Sequence, residues 1–432
     1  MKTRVRNLAL IFAVCAPTVA LGAGYDTPVL YSARHMGMGG TAIGYVDDPS
    51  ATFHNPAGLA GVEKGAVLLN FSPILAKIHG SPSGHVLSDG TKPGLNIWSQ
   101  QAISPAFLAG AAYRVHDKVA LGFAIYPVAS AGAEYKYKAQ FGKDVVDVRD
   151  YTKVVFIDFA PSVSVEPIKG LRLGAAYRFS TLEFERIRTN PDATGTPTNV
   201  DLSMKGKNTK GLRLGAQYSV GSLQFGAVYR HKTETDVTAA EGVLENTKGK
   251  DISYQFILPS KFGFGVQYKG IENLRLALDV EYTLQSQNDT TTLSGTGELA
   301  PGVTFHVDIP NKYKWQDSMT VRAGAGYMLG GVEARLGYLH DGQASQALYV
   351  SSFGTPPAAT NTFTAGAGYK LSDKLDVNVA AAYRSGKATV TEDDLKGPDG
   401  KGNGCPFCGK AGDYELNLMG FYLDACYRFG TP

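Results

Sequence analysis

From Gly65 onward, apolar and polar residues alternate along the chain, and the alternation returns as a recurring stanza. It reads apolar-polar-apolar-Gly-apolar-polar-Tyr at Leu171–Tyr177, Leu212–Tyr218, Phe262–Tyr268, Val321–Tyr327 and Phe363–Tyr369, with longer variants at Leu274–Tyr282, Leu375–Tyr383 and Phe421–Phe429. A period of two is that of a β-strand, whose successive side chains point to opposite faces. One face of each segment is apolar and closes on Tyr or Phe. The other carries Arg, Lys, Asp, Asn, Gln and Gly. A soluble sandwich would bury the apolar face; a membrane barrel turns it to lipid and the polar face to a lumen.

About fourteen strand-like segments begin near Gly65, Gln101, Val119, Lys153, Leu171, Thr209, Leu223, Ile252, Leu274, Tyr313, Val332, Asn361, Leu375 and Tyr414. Short connectors such as Lys169-Gly170, Gly330-Gly331 and Ser372-Asp373-Lys374 alternate with long ones near 79–100, 136–152, 187–208, 239–251, 286–312, 343–360 and 385–413. Short turns at one end and long loops at the other is the pattern of an outer-membrane barrel. The expected fold is therefore all-β: an antiparallel, membrane-spanning barrel of about 14 strands, an even number with both termini periplasmic. The register follows from the alternation. Leu274, Leu276, Leu278, Val280 and Tyr282 should face lipid, and Arg275, Asp279 and Glu281 the lumen.

Composition sharpens this picture. Of 432 residues only 19% are charged, and Gly numbers 51. No apolar run after the first two dozen residues is long enough for a transmembrane helix, which leaves a closed barrel as the spanning structure. The N-terminus reads as a signal peptide over 1–22: Lys2, Arg4 and Arg6 are basic, Leu8–Cys15 is apolar, and cleavage falls after Gly22 or after Ala20. Without that segment's three basic residues, 39 Lys+Arg face 39 Asp+Glu (42 − 3 = 39), so the net charge is zero. Nothing in that balance points to nucleic acid.

Residues 23–62 form a different region, rich in Gly, Asp, Asn and Pro and poor in alternation; 63–432 is the expected barrel. Gly37-Met38-Gly39-Gly40-Thr41-Ala42 has the spacing of a dinucleotide fingerprint, but that reading needs a βαβ unit, which antiparallel alternation does not supply. No cofactor is expected. The segment reads instead as compact and turn-rich, packed inside the barrel.

Cys405-Pro-Phe-Cys408 lies in a Gly/Lys/Asp-rich stretch and reads as a local disulfide, a redox pair or half of a metal site. No second CxxC or nearby His completes a zinc site, and the βαβ context of a redox motif is absent, so a small disulfide is preferred and no metal is expected. Cys426 falls on the polar register as a lone thiol. No G-x-S-x-G occurs. His306 near Asp308 and His340-Asp341 have no nucleophile placed with them, so no catalytic residue is assigned.

The run Asp47-Asp48-Pro49-Ser50-Ala51-Thr52-Phe53-His54-Asn55-Pro56-Ala57-Gly58-Leu59 is similar to the N-terminal hatch of the FadL/TodX family of outer-membrane transporters, with its Asn-Pro-Ala element. Gly37–Ala42 fits the Gly-rich start of that hatch. Gly122-Phe123-Ala124-Ile125-Tyr126-Pro127 through Tyr135 resembles the family's third strand, Leu258-Pro259-Ser260-Lys261-Phe262-Gly263 its Leu-Pro strand start, and Trp315-Gln316-Asp317 with Arg322-Ala323-Gly324 its Trp-x-Asp strand. The resemblance covers nearly the whole mature chain. It departs at the C-terminus, where Phe429 is followed by Gly430-Thr431-Pro432.

The resemblance implies a hatch set inside the barrel, with Asn55, Pro56 and Ala57 forming a rigid turn against the wall. It also implies a lateral opening near a kinked third strand. Pro127 is the expected origin of that kink, because proline lacks an N–H and breaks a ladder bond, and small residues through Gly132 leave space beside it. Ala23, Gly24 and Tyr25 are implied as an N-terminus that reaches a ligand pocket. The expected function is transport across the bacterial outer membrane of fatty acid, alkane or aromatic compounds, by a monomer in contact with outer-membrane lipid. A general diffusion porin is the alternative. Arg172, Arg213, Arg275 and Arg322 are candidate partners for a ligand carboxylate, although inward Asp279, Glu281 and Glu333 compete for them.

Overall fold

The computed structural model describes residues 31–80, 97–141, 144–191, 197–244, 246–350, 356–397, 400, 402 and 411–430. The signal segment, Ala23, Gly24, Tyr25, Cys405 and Cys408 lie outside the described residues.

Among the described residues the alternation in the sequence becomes nineteen strand segments in one sheet. In chain order they are β1 (Gly65–Gly80), β2 (Ile97–Trp98), β3 (Ala102–His116), β4 (Val119–Phe141), β5 (Asp144–Ile168), β6 (Leu171–Pro191), β7 (Pro197–Val220), β8 (Leu223–Arg230), β9 (Thr233–Leu244) and β10 (Thr247–Leu258). They continue as β11 (Lys261–Ile271), β12 (Leu274–Thr283), β13 (Thr290–Ala300), β14 (Val303–Lys312), β15 (Ser318–Leu329), β16 (Val332–Asp341), β17 (Thr360–Ser372), β18 (Leu375–Val390) and β19 (Gly412–Phe429). The antiparallel ring runs β1-β3-β4-β5-β6-β7-β8-β11-β12-β15-β16-β17-β18-β19 and closes on β1, a barrel of 14 strands.

Two of the expected strand starts are corrected. Ile252 does not open a wall strand; the wall strand begins at Lys261, and Ile252 belongs to the hairpin β9–β10, which pairs with the outer part of β7 and with β13. Tyr313 likewise precedes its strand, which begins at Ser318. Several connectors expected as loops are paired strand: β4 with β5 to Phe141↔Asp144, and β6 with β7 to Pro191↔Pro197. The cause is physical. A hairpin leaving the membrane keeps its ladder, and only the identity of what covers each face changes.

The outer face is apolar without protein cover. Leu69, Phe71, Phe264, Leu276, Leu278, Leu336, Phe363 and Leu423 are all exposed. So large an apolar surface is stable only against lipid. Tyr113, Tyr218, Tyr268, Tyr327, Tyr369 and Tyr427 sit beside the short turns, while Tyr177, Tyr282 and Tyr383 lie higher on the same face, as two aromatic girdles. Along the same strands the inward residues are buried: Asp279 between exposed Leu278 and half-buried Val280, and Cys426, a free buried thiol, between Ala425 and Tyr427.

Candidate functional site

The N-terminal segment 31–62 crosses the ring. Its short helices Ala33–Met36 and Ala51–His54 and the 3-10 turn Pro56–Gly61 touch β17, β18 and β19 at one end and β4, β5, β6 and β7 at the other. Nearly every residue in it is buried. Buried backbone needs partners, and the inward wall side chains supply them. Asp424 accepts from Ser32 Oγ (2.6 Å) and Ala33 N (2.8 Å), Asp279 from Ala42 N (2.8 Å) and Ile43 N (3.0 Å), and Thr364 Oγ1 from Gly39 N (3.0 Å). Arg114 Nε donates to Val62 O at 3.0 Å, and Ser164 Oγ to Ala57 O at 2.8 Å.

The glycine of the repeated stanza now has a reason. A Cβ at Gly174 would overlap Pro56 and Ala57; at Gly215, Asn55; at Gly226, Ile43; at Gly324, Met38; at Gly337, Gly39. At Gly366 it would stand 2.8 Å from the Cα of Gly37. The wall is bare where the crossing segment lies against it, so backbone meets backbone. Asn55 caps the turn that follows: its Oδ1 accepts from Ala57 N (3.2 Å), and its Nδ2 donates to Ile43 O (2.8 Å), Ala216 O (3.0 Å) and Ala227 O (3.3 Å). Pro56 occupies the first turn position, where a missing N–H costs nothing.

Two regions of different character lie on either side of this segment. Toward the short turns the lumen is charged. Arg34 pairs with Asp47 (2.6 Å) and Asp48 (3.3 Å), Arg172 with Glu166 (3.5 Å), Arg275 and Arg335 with Glu333 (3.2 and 2.6 Å), and Arg428 with Asp376 (2.5 Å). The Arg34 guanidinium beside the exposed Asp47 holds its carboxyl below the usual carboxylate range. Toward the long connections the lumen is aromatic, with buried ion pairs set among the rings, Arg178 with Asp158 (2.5 Å) and Arg384 with Asp341 (2.8 Å). Tyr31 and Phe53, and Phe53 and Tyr126, have ring centroids 5.1 Å apart. Phe256 lies 5.0 Å from Phe184, 4.9 Å from Tyr254 and 6.1 Å from Phe156. Leu182, Leu202 and Met204 are buried in the same cluster.

At the edge of that aromatic region the wall is unzipped. β3 and β4 pair only from His116↔Val119 to Ala109↔Ile125. Beyond, Ala102–Leu108 pair with β1 and β4 runs on against β5, until Glu134 O of β4 accepts from Gln100 N at 2.7 Å. A register shift falls between Pro127 and Ala129, with Val128 the extra residue. Every residue from Pro127 to Ala133 is buried, whereas Leu121 and Phe123 below face lipid. β4 has left the lipid surface, and its small residues share a buried cluster with Leu108 of β3, Ile78 of β1 and Leu416 of β19. Tyr31 Oη donates to Pro127 O at 2.6 Å. Gly132 lies farther along this stretch, in register with Lys153.

The candidate cations divide. Arg172, Arg275 and Arg322 have carboxylate partners in Glu166, Glu333 and Glu281. Arg213 donates to the backbone carbonyls of Thr52 and Phe53 and lies over the Phe53 ring at 5.0 Å. Sequence reasoning missed the aromatic cluster. Its signal was the run Ile252, Tyr254, Phe256, Leu258, whose apolar face turns inward.

A lipid-facing ring of paired strands, crossed by its own N-terminal segment and unzipped at one seam, defines an outer-membrane β-barrel. Residues 14–429 match the family model described as outer membrane protein transport protein (OMPP1/FadL/TodX), and the chain belongs to that family. It is an outer-membrane transport protein. Solved structures share the fold: a Pseudomonas aeruginosa FadL homologue (16% identity, TM-score 0.72, covering 94% of this chain and 100% of that one) and the Pseudomonas putida toluene transporter TodX (16%, 0.68, 95% and 100%). The Ralstonia pickettii toluene transporter TbuX is also similar (14%, 0.64, 94% and 100%). No curated protein matches the chain by sequence.

Proposed function

We propose that the chain carries hydrophobic compounds, long-chain fatty acids or hydrocarbons, into the outer membrane and releases them sideways through the seam between β3 and β4. The observation that carries this is the placement of the unzipped seam beside the aromatic cluster and above a charged floor. Partition into the cluster favours an apolar solute by about 0.8 kcal/mol per buried CH₂. Going on through the floor would desolvate paired charges with nothing apolar to replace their water, whereas the seam leads to lipid. The segment 23–62 acts as a hatch, held by the turn at Asn55, Pro56 and Ala57. We assign Ala23, Gly24 and Tyr25 to the same route on the family resemblance alone; they lie outside the described residues. Toluene transport by TodX and TbuX agrees with this reading. A general porin would have no use for a lumen filled with aromatic side chains.

Ala131→Trp fills the stretch where β4 turns inward. Uptake of radiolabelled oleate and toluene by cells should then fall to the level of cells lacking the protein, while the heat-modifiable gel mobility of a folded barrel is kept. Undiminished uptake by the folded variant would rule out the sideways route.

A further inference from the structure

Resting on the reading of the seam as an exit, we infer that it is held open from both sides, by Pro105 on β3 as well as Pro127 on β4. Each is placed where its missing N–H falls on the edge that faces the gap.

The placement follows from strand parity. Along a strand, N–H groups point alternately to the two neighbours. Arg114 N donates to Lys64 O (2.7 Å), and this pair continues the β1–β3 register in which Gly65 faces Tyr113. Even-numbered residues of β3 therefore direct their N–H toward β1, and odd-numbered ones, including residue 105, toward β4. On the other side, Glu166 N donates to Lys118 O (2.8 Å), in line with the β4–β5 register that pairs Val119 with Val165. Even-numbered residues up to the bulge in β4 thus bond β5, and odd-numbered ones, including residue 127, face β3. The paired stretch ends at Ala109↔Ile125, both odd, so the next bonding positions would be 107 with 127 and then 105. One of those carries no donor on β4, and the next carries none on β3. The ladder stops where its first donor is lost and cannot resume at the following bonding position. Tyr31 Oη takes the Pro127 carbonyl, so the acceptor at the same position is occupied as well.

Pro73 is an internal control. It faces Pro105 across the β1–β3 ladder, but odd residues of β1 direct their N–H to β19, away from the gap. It shares ring, strand sheet and height with Pro105 and differs in the edge it blunts.

The test restores the donors one at a time. Pro105→Val and Pro127→Val, singly and together, are purified as full-length barrels in detergent and reconstituted into vesicles, with Pro73→Val alongside. Amide exchange of 101–109 reads the seam directly, and transfer of oleate and toluene reads the exit. Pro105→Val should slow exchange of the β3 amides and lower transfer about fivefold, the ratio set by one added ladder hydrogen bond, and the double variant more. Pro73→Val should change neither. Exchange and transfer in Pro105→Val equal to those of the parent would overturn the inference. If Pro127→Val alters folding, Pro105→Val still decides it, because the regular β1–β3 register needs no change there. A parent-like Pro105→Val alongside a blocked Ala131→Trp would remove the proline argument and leave the exit standing. An active Ala131→Trp would remove the exit, and the exchange measurement would still judge the prolines.

Discussion

Adding one methyl group to the wall should unseat the crossing segment. In Gly215→Ala the new Cβ would overlap Asn55 Oδ1 and stand 2.9 Å from Pro56 Cδ. Neither neighbour can give way. Asn55 is fixed through its amide to Ile43 O at 2.8 Å, Ala216 O at 3.0 Å and Ala227 O at 3.3 Å, and Pro56 has no free φ. Relief means breaking these bonds and leaving two or three buried polar groups unpaired, a loss of about 3 kcal/mol and so roughly a hundredfold in the docking equilibrium. The assay is amide exchange of 41–62 in detergent micelles, with folding of the barrel checked by heat-modifiable mobility. Exchange of this segment should rise while the strands stay protected. Asn55→Ala removes the nearer obstruction and leaves only the 2.9 Å approach to Pro56 Cδ, so Gly215→Ala should cost much less in the Asn55→Ala background than in the parent, a strongly non-additive cycle. Parent-like exchange of 41–62 in Gly215→Ala, or additive effects in the cycle, would refute the idea that glycines in the wall exist to admit the segment.

Two further outcomes are expected. His54 is buried, donates from Nε2 to Tyr31 O at 2.8 Å, and lies 5.0 Å from the His35 ring. Burial first, and His35 second, lower its pKa from 6.5 to about 3. A lowered base binds fewer protons in the docked state than in the released one, so docking is strongest above pH 6.5 and weakens as pH falls from there toward 3, by up to about 1.4 kcal/mol per pH unit. Exchange of 41–62 should show this slope, and His54→Gln should flatten it. Leu278→Arg places a charge on the lipid face, where it should destabilise the barrel by about 2–4 kcal/mol at mid-depth, read by urea titration of folding into vesicles.

The strands and their register were legible because lipid imposes a strict period of two: Leu278 outside and Asp279 inside can be read from the order alone. The hairpins β9–β10 and β13–β14 were not, because alternation says which residues share a face and not what covers it. Ile252 was placed in the wall for that reason, although Pro259, which cannot donate to a ladder, marks the break before Lys261. The charged connectors near 136–152 and 187–208 concealed strands for a related reason. In water a paired strand tolerates Lys and Glu on its outer face while Val148 and Leu202 stay buried. Asn55 and Pro127 could be singled out by residue chemistry. Pro105 and Gly215 could not, since their meaning lies in the strand or backbone opposite, which only the folded ring supplies.

The wall is uneven in height. β4, β5, β6 and β7 are 23, 25, 21 and 24 residues long, against 8, 11, 10 and 12 for β8, β11, β12 and β15. Since about 9–11 residues span the bilayer, the four tall strands rise as a slanted sail by roughly another dozen residues, or some 25–40 Å depending on tilt. Its base adjoins the unzipped seam. On the route proposed above, a greasy molecule is gathered on the inner face of this sail, where Leu182, Phe184 and Leu202 lie, and led down to the seam, so the height of the sail sets how far from the membrane the protein can forage.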